Sequence, residues 1–216
     1  DADLVLDLHC DTEAVMHLYS EEACWAPFEP LARLLGCRAV LLARESGGGP
    51  FDERLSGLWW QLAAALKNTG VTAPLPQACA STTVELRGEA DVSHELARQD
   101  AQAIEAFLLH AGVLGGQPTP NLPPMACEPT PLAGSEPITA PHAGVVVFHR
   151  QPGDVVKAGD VLAHIVDPLN QRRTPITTRT DGVIYARHNL RWATTGMEVC
   201  RVAGVTPLRS GNLLSP

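Results

Sequence analysis

Two polar side chains at the end of a short apolar segment are the first candidates for chemistry. Residues 4–8 have the length and composition of a buried strand. Because side chains alternate along a strand, Asp7 and His9 share one of its faces. A histidine at a strand end can bind a metal ion or exchange a proton, and it can equally be a structural residue fixed by hydrogen bonds. The spacing alone leaves these interpretations of His9 open.

A glutamate within a second predicted strand is the other candidate. Glu85 lies in the middle of residues 80–87, and Thr83 and Arg87 share its face of the strand. Burying a carboxylate is costly unless it is paired, so an ion pair with Arg87 is one interpretation. The other is a general base, because partial burial raises the pKa of a carboxyl toward neutral pH. If the strands that contain His9 and Glu85 are parallel, both side chains lie at the same sheet edge.

Strands alternate with helices through the first half of the chain, which predicts an α/β layer. Apolar residues at helical spacing predict a helix over residues 51–68, and Ser93 is placed to cap another. Ser20 is placed to cap short helices over residues 21–35, which Pro27 and Pro30 are expected to interrupt. Residues 1–114 are therefore predicted to form the α/β domain.

The second half predicts a different architecture. Residues 115–137 are rich in proline and glycine and predict an extended linker. Short apolar segments and tight turns follow over residues 138–204, and a Gly-Val motif at Gly144 recurs at Gly182. This twofold pattern predicts a small all-β sandwich, which is followed by a tail over residues 205–216.

Composition excludes several classes of protein. The chain of 216 residues has a formal net charge of -8, and its few basic residues are scattered, which argues against a nucleic-acid partner. The six cysteines form no C-x-x-C pair and favour free thiols in a reducing compartment. Because there is no signal peptide and no apolar segment long enough to span a bilayer, we expect a cytoplasmic protein without a membrane partner. A homo-oligomer remains open.

The motifs around the two candidates resemble a known family. Asp7-Leu8-His9, followed by Glu85-Leu86-Arg87-Gly88, resembles the zinc carboxypeptidase superfamily, and specifically the succinylglutamate desuccinylase/aspartoacylase family. The resemblance implies that His9 binds Zn²⁺ and that Glu85 is the catalytic base. Asp7 would orient His9, and Arg87 would bind a substrate carboxylate unless it forms a plain ion pair. The implied fold is a partial zinc-carboxypeptidase-like mixed sheet with helices.

The implied activity is that of a zinc-dependent amidohydrolase that removes an acyl group from an N-acyl amino acid or a similar small molecule. A carboxypeptidase-type peptidase and a non-catalytic binding module are the alternatives. The family takes two further zinc ligands from an upstream H-x-x-E motif, which does not occur in this sequence. We therefore expect the chain to represent the downstream part of such an enzyme, to bind zinc weakly or not at all, and to be inactive by itself.

The all-β segment has a resemblance of its own. Residues 152–163 resemble the first half of a biotinyl/lipoyl domain, which implies a barrel-sandwich fold. Such domains attach their cofactor to a lysine in the hairpin between the halves, but the corresponding residues 170–174 contain no lysine, and Lys157 lies elsewhere. We therefore expect no biotin or lipoyl group and predict a structural or oligomerising role.

Overall fold

A computed structural model of the protein describes residues 2–70, 74–118 and 121–214. The segments predicted above include a few residues that lie outside this described part, namely 1, 71–73, 119–120 and 215–216. The helices are α1 (Trp25–Leu35), α2 (Phe51–Asn68) and α3 (His94–His110), with short 3₁₀ turns at Glu22–Cys24 and Leu132–Gly134. The strands of the first half are β1 (Leu4–Asp11), β2 (Glu13–Ala14), β3 (His17–Glu21), β4 (Ala39–Ala43) and β5 (Ala80–Gly88). Those of the second half are β6 (Thr130–Pro131), β7 (Ser135–Thr139), β8 (Gly144–Phe148), β9 (Val155–Val156), β10 (Val161–Val166), β11 (Arg173–Thr177), β12 (Gly182–Arg187), β13 (Trp192–Ala193) and β14 (Glu198–Gly204).

The first half is built on a mixed sheet with the strand order β1-β5-β3-β4-β6. Strand β5 is parallel to β1 and antiparallel to β3, and β3 is parallel to β4. The predicted mixed α/β fold is thus confirmed in outline. Because β5 lies between β1 and β3, its polar residues have a neighbour on each side, and this placement creates the site described below.

Helices α1 and α3 cover one face of this sheet. Phe28 of α1 and Phe107 of α3 are fully buried, with ring centroids 6.0 Å apart, and they pack with Leu18 and Val84 of the sheet. Burial of large apolar side chains of this kind is the main stabilising contribution to such a layer. The opposite face of the sheet carries Asp7 and its neighbours, and the cavity described below lies on that face.

Helix α1 differs from its prediction. It is continuous through Pro30, and Ser20 belongs to the buried strand β3 rather than to a helix cap. Ser20 pairs with strand neighbours on both sides, so tertiary contacts override its local preference. The helix ends as expected at Gly36, whose φ of 67° suits glycine at this position.

The second half forms two sheets around one apolar core. Strands β11-β10-β8-β13 make one sheet, and β2-β12-β14-β7 make the other, with β9 also paired to β12. Buried residues from both sheets, among them Ile165 and Val202, share this core. Within the described residues the sheets form no closed barrel, and the barrel-sandwich fold stays a prediction.

The repeated glycines begin equivalent strands, β8 and β12. A Cβ atom at Gly144 would lie 2.6 Å from the carbonyl oxygen of Val166, and one at Gly182 would collide with the carbonyl oxygen of Ala203. Both positions therefore need glycine because the partner strand's backbone approaches too closely for a side chain.

Each half contributes a short strand to a sheet of the other half. Strand β2 of the first half pairs with β12, and β6, which lies in the predicted linker, pairs with β4. The structure thus differs from the predicted linker at its carboxyl end, where residues 130–137 are ordered. Glu13 reinforces the junction, since its carboxylate oxygens lie 2.5 Å from Arg187 Nε and 2.6 Å from an Arg191 nitrogen.

Candidate active site

Strand pairing brings the two sequence candidates together. His9 of β1 is the register partner of Glu85 on β5, and Asp7 is the partner of Thr83. Paired residues on adjacent strands project their side chains from the same face of a sheet. The structure therefore places Asp7, His9 and Glu85 side by side on the face that the helices α1 and α3 leave open.

These side chains line a cavity of about 580 Å³. The sheet supplies its floor, the amino-terminal turn of α2 supplies one wall, and strand β14 of the second half supplies Arg201. A cavity of this volume suits a small organic molecule. Its lining consists of Asp7, His9, Tyr19, Ser20, Leu41, Ala43, Ser46, Pro50, Phe51, Asp52, Glu53, Thr83, Glu85, Leu132, Arg201 and Leu214.

Glu85 has the environment of a general base. Its Oε2 atom is buried and has no hydrogen-bond partner among the described residues. Burial raises the pKa of Glu85 to about 7; the negative charges of Asp11 and Asp7 add to the rise, and the positive charges of His9 and Arg201 oppose it. A carboxyl with this pKa can take up and release a proton near neutral pH.

His9 is held by Asp7 at the mouth of the cavity. The Nε2 atom of His9 lies 3.1 Å from Asp7 Oδ2, and the His9 side chain is 51% exposed. If Nε2 carries the proton that it shares with this carboxylate, Nδ1 retains the lone pair and is the nitrogen available to a metal ion. The described residues contain no group of three histidine, cysteine, aspartate or glutamate side chains that could hold a metal. They therefore supply fewer than the three protein ligands that a catalytic zinc site needs.

The structure does not bring Arg87 to the cavity. Its φ of 66° breaks the alternation of side chains that would place it beside Glu85. Its guanidinium instead contacts Asp100 of α3, with a nitrogen–oxygen distance of 2.5 Å. The hypothesis that Arg87 binds substrate gains no support from this geometry, and the ion-pair alternative describes the contact that is observed.

Replacement of Arg87 by methionine is expected to change stability rather than substrate affinity. Asp100 would lose its partner while only 15% exposed, so we expect the free energy of unfolding to fall by about 2–3 kcal/mol. The KM for substrate should stay within about twofold of the wild-type value, because the side chain does not line the cavity.

Urea unfolding and steady-state kinetics on the same preparation measure both effects. Arg98→Met is the matched control, since the Arg98–Glu95 pair on α3 is largely exposed and should contribute less than about 1 kcal/mol. A rise in KM with unchanged stability for Arg87→Met would return Arg87 to the substrate site.

Sequence reasoning missed Arg201. It lies on β14 between the buried residues Cys200 and Val202, and one of its guanidinium nitrogens is 2.5 Å from Glu198. A charged residue within an apolar strand is the same signal that singled out Glu85, so the sequence did contain a hint. What the sequence did not reveal is that β14 faces the first sheet.

A buried aromatic cluster lies beside Glu85 on the same face of the sheet. His17, opposite Glu85 in the register of β3 and β5, is fully buried, with its ring centroid 5.0 Å from that of Tyr185 and 5.4 Å from that of Tyr19. Its Nδ1 atom donates to the carbonyl oxygen of Val15 at 2.8 Å when it carries the proton. Burial lowers the pKa of His17 to about 4, so this ring is neutral at physiological pH.

Comparison with known proteins adds a structural relationship. No protein-family model and no curated protein matches the chain. A solved structure from Shewanella amazonensis SB2B, named as a succinylglutamate desuccinylase/aspartoacylase family protein, matches with a TM-score of 0.80 and 28% identity. The fold resembles that of this family. A second such structure, from Shewanella frigidimarina NCIMB 400, matches with a TM-score of 0.76 and 26% identity.

The matched region covers most of this chain but only about half of each solved structure. It covers 93% of this chain for the first structure and 94% for the second, but 54% of each of those proteins. The ectoine utilization protein EutE (DoeB) from Ruegeria pomeroyi matches at 19% identity with a TM-score of 0.66, which indicates the shared fold alone. The chain thus spans about half the length of the desuccinylase/aspartoacylase structures that it resembles.

Proposed function

We propose that the protein is a deacylase of this family, one that hydrolyses the amide bond of an N-acyl amino acid or a similar small molecule. The observation that supports this most is Glu85, a carboxylate with an unpartnered oxygen and a pKa near neutral in a cavity of substrate size. The similarity to desuccinylase/aspartoacylase structures supports the same class of reaction.

In the proposed reaction Glu85 acts first as a base and then as an acid. Its carboxylate removes a proton from water while the water oxygen bonds to the acyl carbon. The C–N bond then breaks, and Glu85 returns the proton to the nitrogen of the leaving amine. The products are a carboxylic acid and a free amine, and Glu85 ends in its original ionised state.

Zinc dependence remains a proposal, which rests on the resemblance of Asp7-Leu8-His9 to the family motif. His9 would be the one ligand that the described residues contribute, through Nδ1, with Asp7 fixing the ring. Because no group of three ligands exists among these residues, they do not complete a zinc site by themselves.

We assign the substrate carboxylate to Arg201. Its guanidinium lines the cavity, contacts Glu198 through one nitrogen and retains further N–H donors for an anion. Arg201→Gln in the complete protein is expected to raise the KM for an N-acyl amino acid by about tenfold or more, with a smaller change in kcat. The same variant should discriminate less against an N-acyl amine that lacks the carboxylate.

A panel of N-acetyl and N-succinyl amino acids tests the proposed activity, with release of the free amine as the readout. Hydrolysis of at least one member by the complete protein is the expected result. Hydrolysis of peptides alone would favour the carboxypeptidase alternative, and the absence of all hydrolysis would favour a non-catalytic binding module.

The second half is best interpreted as a lipoyl-like cap without a cofactor. Its structural role is to join the first half through β2 and Glu13, and it also supplies Arg201 to the cavity. We propose a cytoplasmic location because the six cysteines are all free thiols. Among the described residues, no helix is both long and apolar enough to cross a membrane.

A further inference from the structure

The α2 wall of the cavity, formed by Asp52 and Glu53, carries two carboxylates. Asp52 is only 4% exposed, yet it contributes to the lining, and its Oδ1 atom has no hydrogen-bond partner among the described residues. The Oε1 atom of Glu53 accepts a hydrogen bond from the backbone N–H of Ser46 at 2.7 Å. A buried carboxylate oxygen without a partner is costly, and the cavity that the Asp52 residue lines is the place from which a ligand would complete it.

The electrostatic surroundings of this wall are negative. Burial raises the pKa of Asp52, and the negative charge of Glu53 raises it further. Glu21 is buried behind the wall. Its pKa is also raised by burial, and the negative charges of Glu53 and Asp52 add to this rise. Within the described residues none of the three forms an ion pair with an arginine, lysine or histidine. The guanidinium of Arg201, on another wall, is paired with Glu198. The described residues therefore supply no counter-charge to the α2 wall.

A structural role explains only part of the Asp52 environment. An acidic residue in the first turn of a helix interacts favourably with the helix dipole, and Asp52 accepts hydrogen bonds from Thr83 and from the backbone N–H of Glu53. Asp52 is buried and leaves one oxygen unused. A divalent metal is a poor candidate for the missing charge, because no group of three metal-binding side chains exists in the described part of the chain. A molecular cation that donates hydrogen bonds, such as an ammonium group, would supply both a hydrogen bond to the carboxylate oxygen and the positive charge that the described residues do not supply to the wall.

We propose that the α2 wall binds the ammonium group of the substrate, and that the preferred substrates are therefore N-acyl amino acids with a cationic side chain. This inference rests on the proposed deacylase function. Arg201 would take the carboxylate of such a molecule, and Asp52 with Glu53 would take its ammonium group. The cavity would then recognise the two opposite charges of the substrate. Acidic N-acyl amino acids would bind less well, because the carboxylates of the α2 wall would repel their side chains.

A pair of ligands that differ by one ammonium group tests the inference. Isothermal titration calorimetry on the purified protein would compare Nα-acetyl-L-lysine with Nα-acetyl-L-norleucine, whose side chain has the same carbon atoms without the ammonium. We expect the lysine compound to bind about tenfold more tightly or better, as a charge-assisted hydrogen bond implies. Equal affinities, tighter binding of the norleucine compound, or no saturable binding of the lysine compound would overturn the proposal.

The Asp52→Asn variant assigns the preference to the wall. It should lose the preference for the lysine compound and bind the norleucine compound within about twofold of wild type. Glu105→Gln, an exposed change on α3, is the control and should retain the full preference. Because the ligand comparison is made first on the wild-type protein, the test does not depend on the variant folding.

Hydrolysis of the same two compounds separates this inference from the proposed function. If neither is hydrolysed but the binding preference is observed, the deacylase proposal fails for these acyl groups and the ammonium site stands. If both are hydrolysed with equal kcat/KM and bind equally, the deacylase proposal stands and the ammonium site is rejected.

Discussion

Replacing Glu85 by glutamine is expected to lower kcat for amide hydrolysis by about 10²–10⁴-fold in the complete protein. Glutamine keeps the size of the side chain but cannot accept a proton from water at neutral pH. Glu85 lines the cavity beside His9, and its Oε2 atom has no hydrogen-bond partner among the described residues. Substrate affinity should change much less, since binding is assigned to other side chains. Steady-state kinetics on one N-acyl amino acid measures both quantities.

The same variant should be more stable than wild type at neutral and alkaline pH. The pKa of Glu85 rises from its ordinary 4.5 to about 7 on folding, mainly through burial. The folded state therefore favours the protonated carboxyl. The contribution of Glu85 to the free energy of unfolding is fully present below pH 4.5 and is lost as the pH rises through about 7. Removing the ionisable group should recover about 1–3 kcal/mol above pH 7, measured by urea unfolding.

A loss of activity combined with a gain of stability distinguishes a catalytic role from a structural one. Glu105→Gln, on the exposed surface of α3, should change neither quantity. If Glu85→Gln were inactive and also less stable, the glutamate would be a structural residue whose removal damages the fold. Retained activity would remove Glu85 from the proposed mechanism.

The sequence predicted this pair of candidates because both rely on strand periodicity. His9 and Glu85 each stand out as polar residues on strands whose other face is apolar, and residues 51–68 show the helical spacing of α2 as observed. What the pattern could not decide was whether β1 and β5 are parallel neighbours. That pairing depends on tertiary packing, and the structure supplies it.

The rest of the cavity could not be predicted because its walls come from distant parts of the chain. Arg201 reaches the cavity because the pairing of β2 with β12, the pairing of β6 with β4 and the ion pairs of Glu13 join the second half to the first. Asp52 has the position of an ordinary first-turn acid, and only its burial reveals anything more. Arg87 lies away from the cavity for a local reason, since its positive φ breaks the alternation on which the prediction depended.

The activity of the wild-type protein is expected to fall on the acid side of about pH 7. The base form of Glu85 is the reactive one, and its pKa of about 7 means that protonation begins near neutral pH. Below that value kcat/KM should decrease about tenfold for each pH unit, whereas a glutamate with its ordinary pKa would remain active to about pH 5. A profile of kcat/KM from pH 5 to pH 9 measures the position of this limb, provided that the substrate does not titrate in the same range.

Two neighbours of Glu85 should move this limb in opposite directions. The charge of Asp11 raises the pKa of Glu85 and that of Arg201 lowers it, so Asp11→Asn should shift the acid limb to lower pH and Arg201→Gln should shift it to higher pH. His9 and Asp7 also act on Glu85, but changing them would disturb the candidate metal ligand. His17 is neutral, and Tyr19 has a pKa raised well above its usual value by burial, so neither titrates in this range.

Shifts of the same sign in both variants, or an acid limb near pH 4.5 in wild type, would mean that another group controls the rate. Opposite shifts are the result expected for Glu85, because it lies near a negative charge that raises its pKa and a positive charge that lowers it.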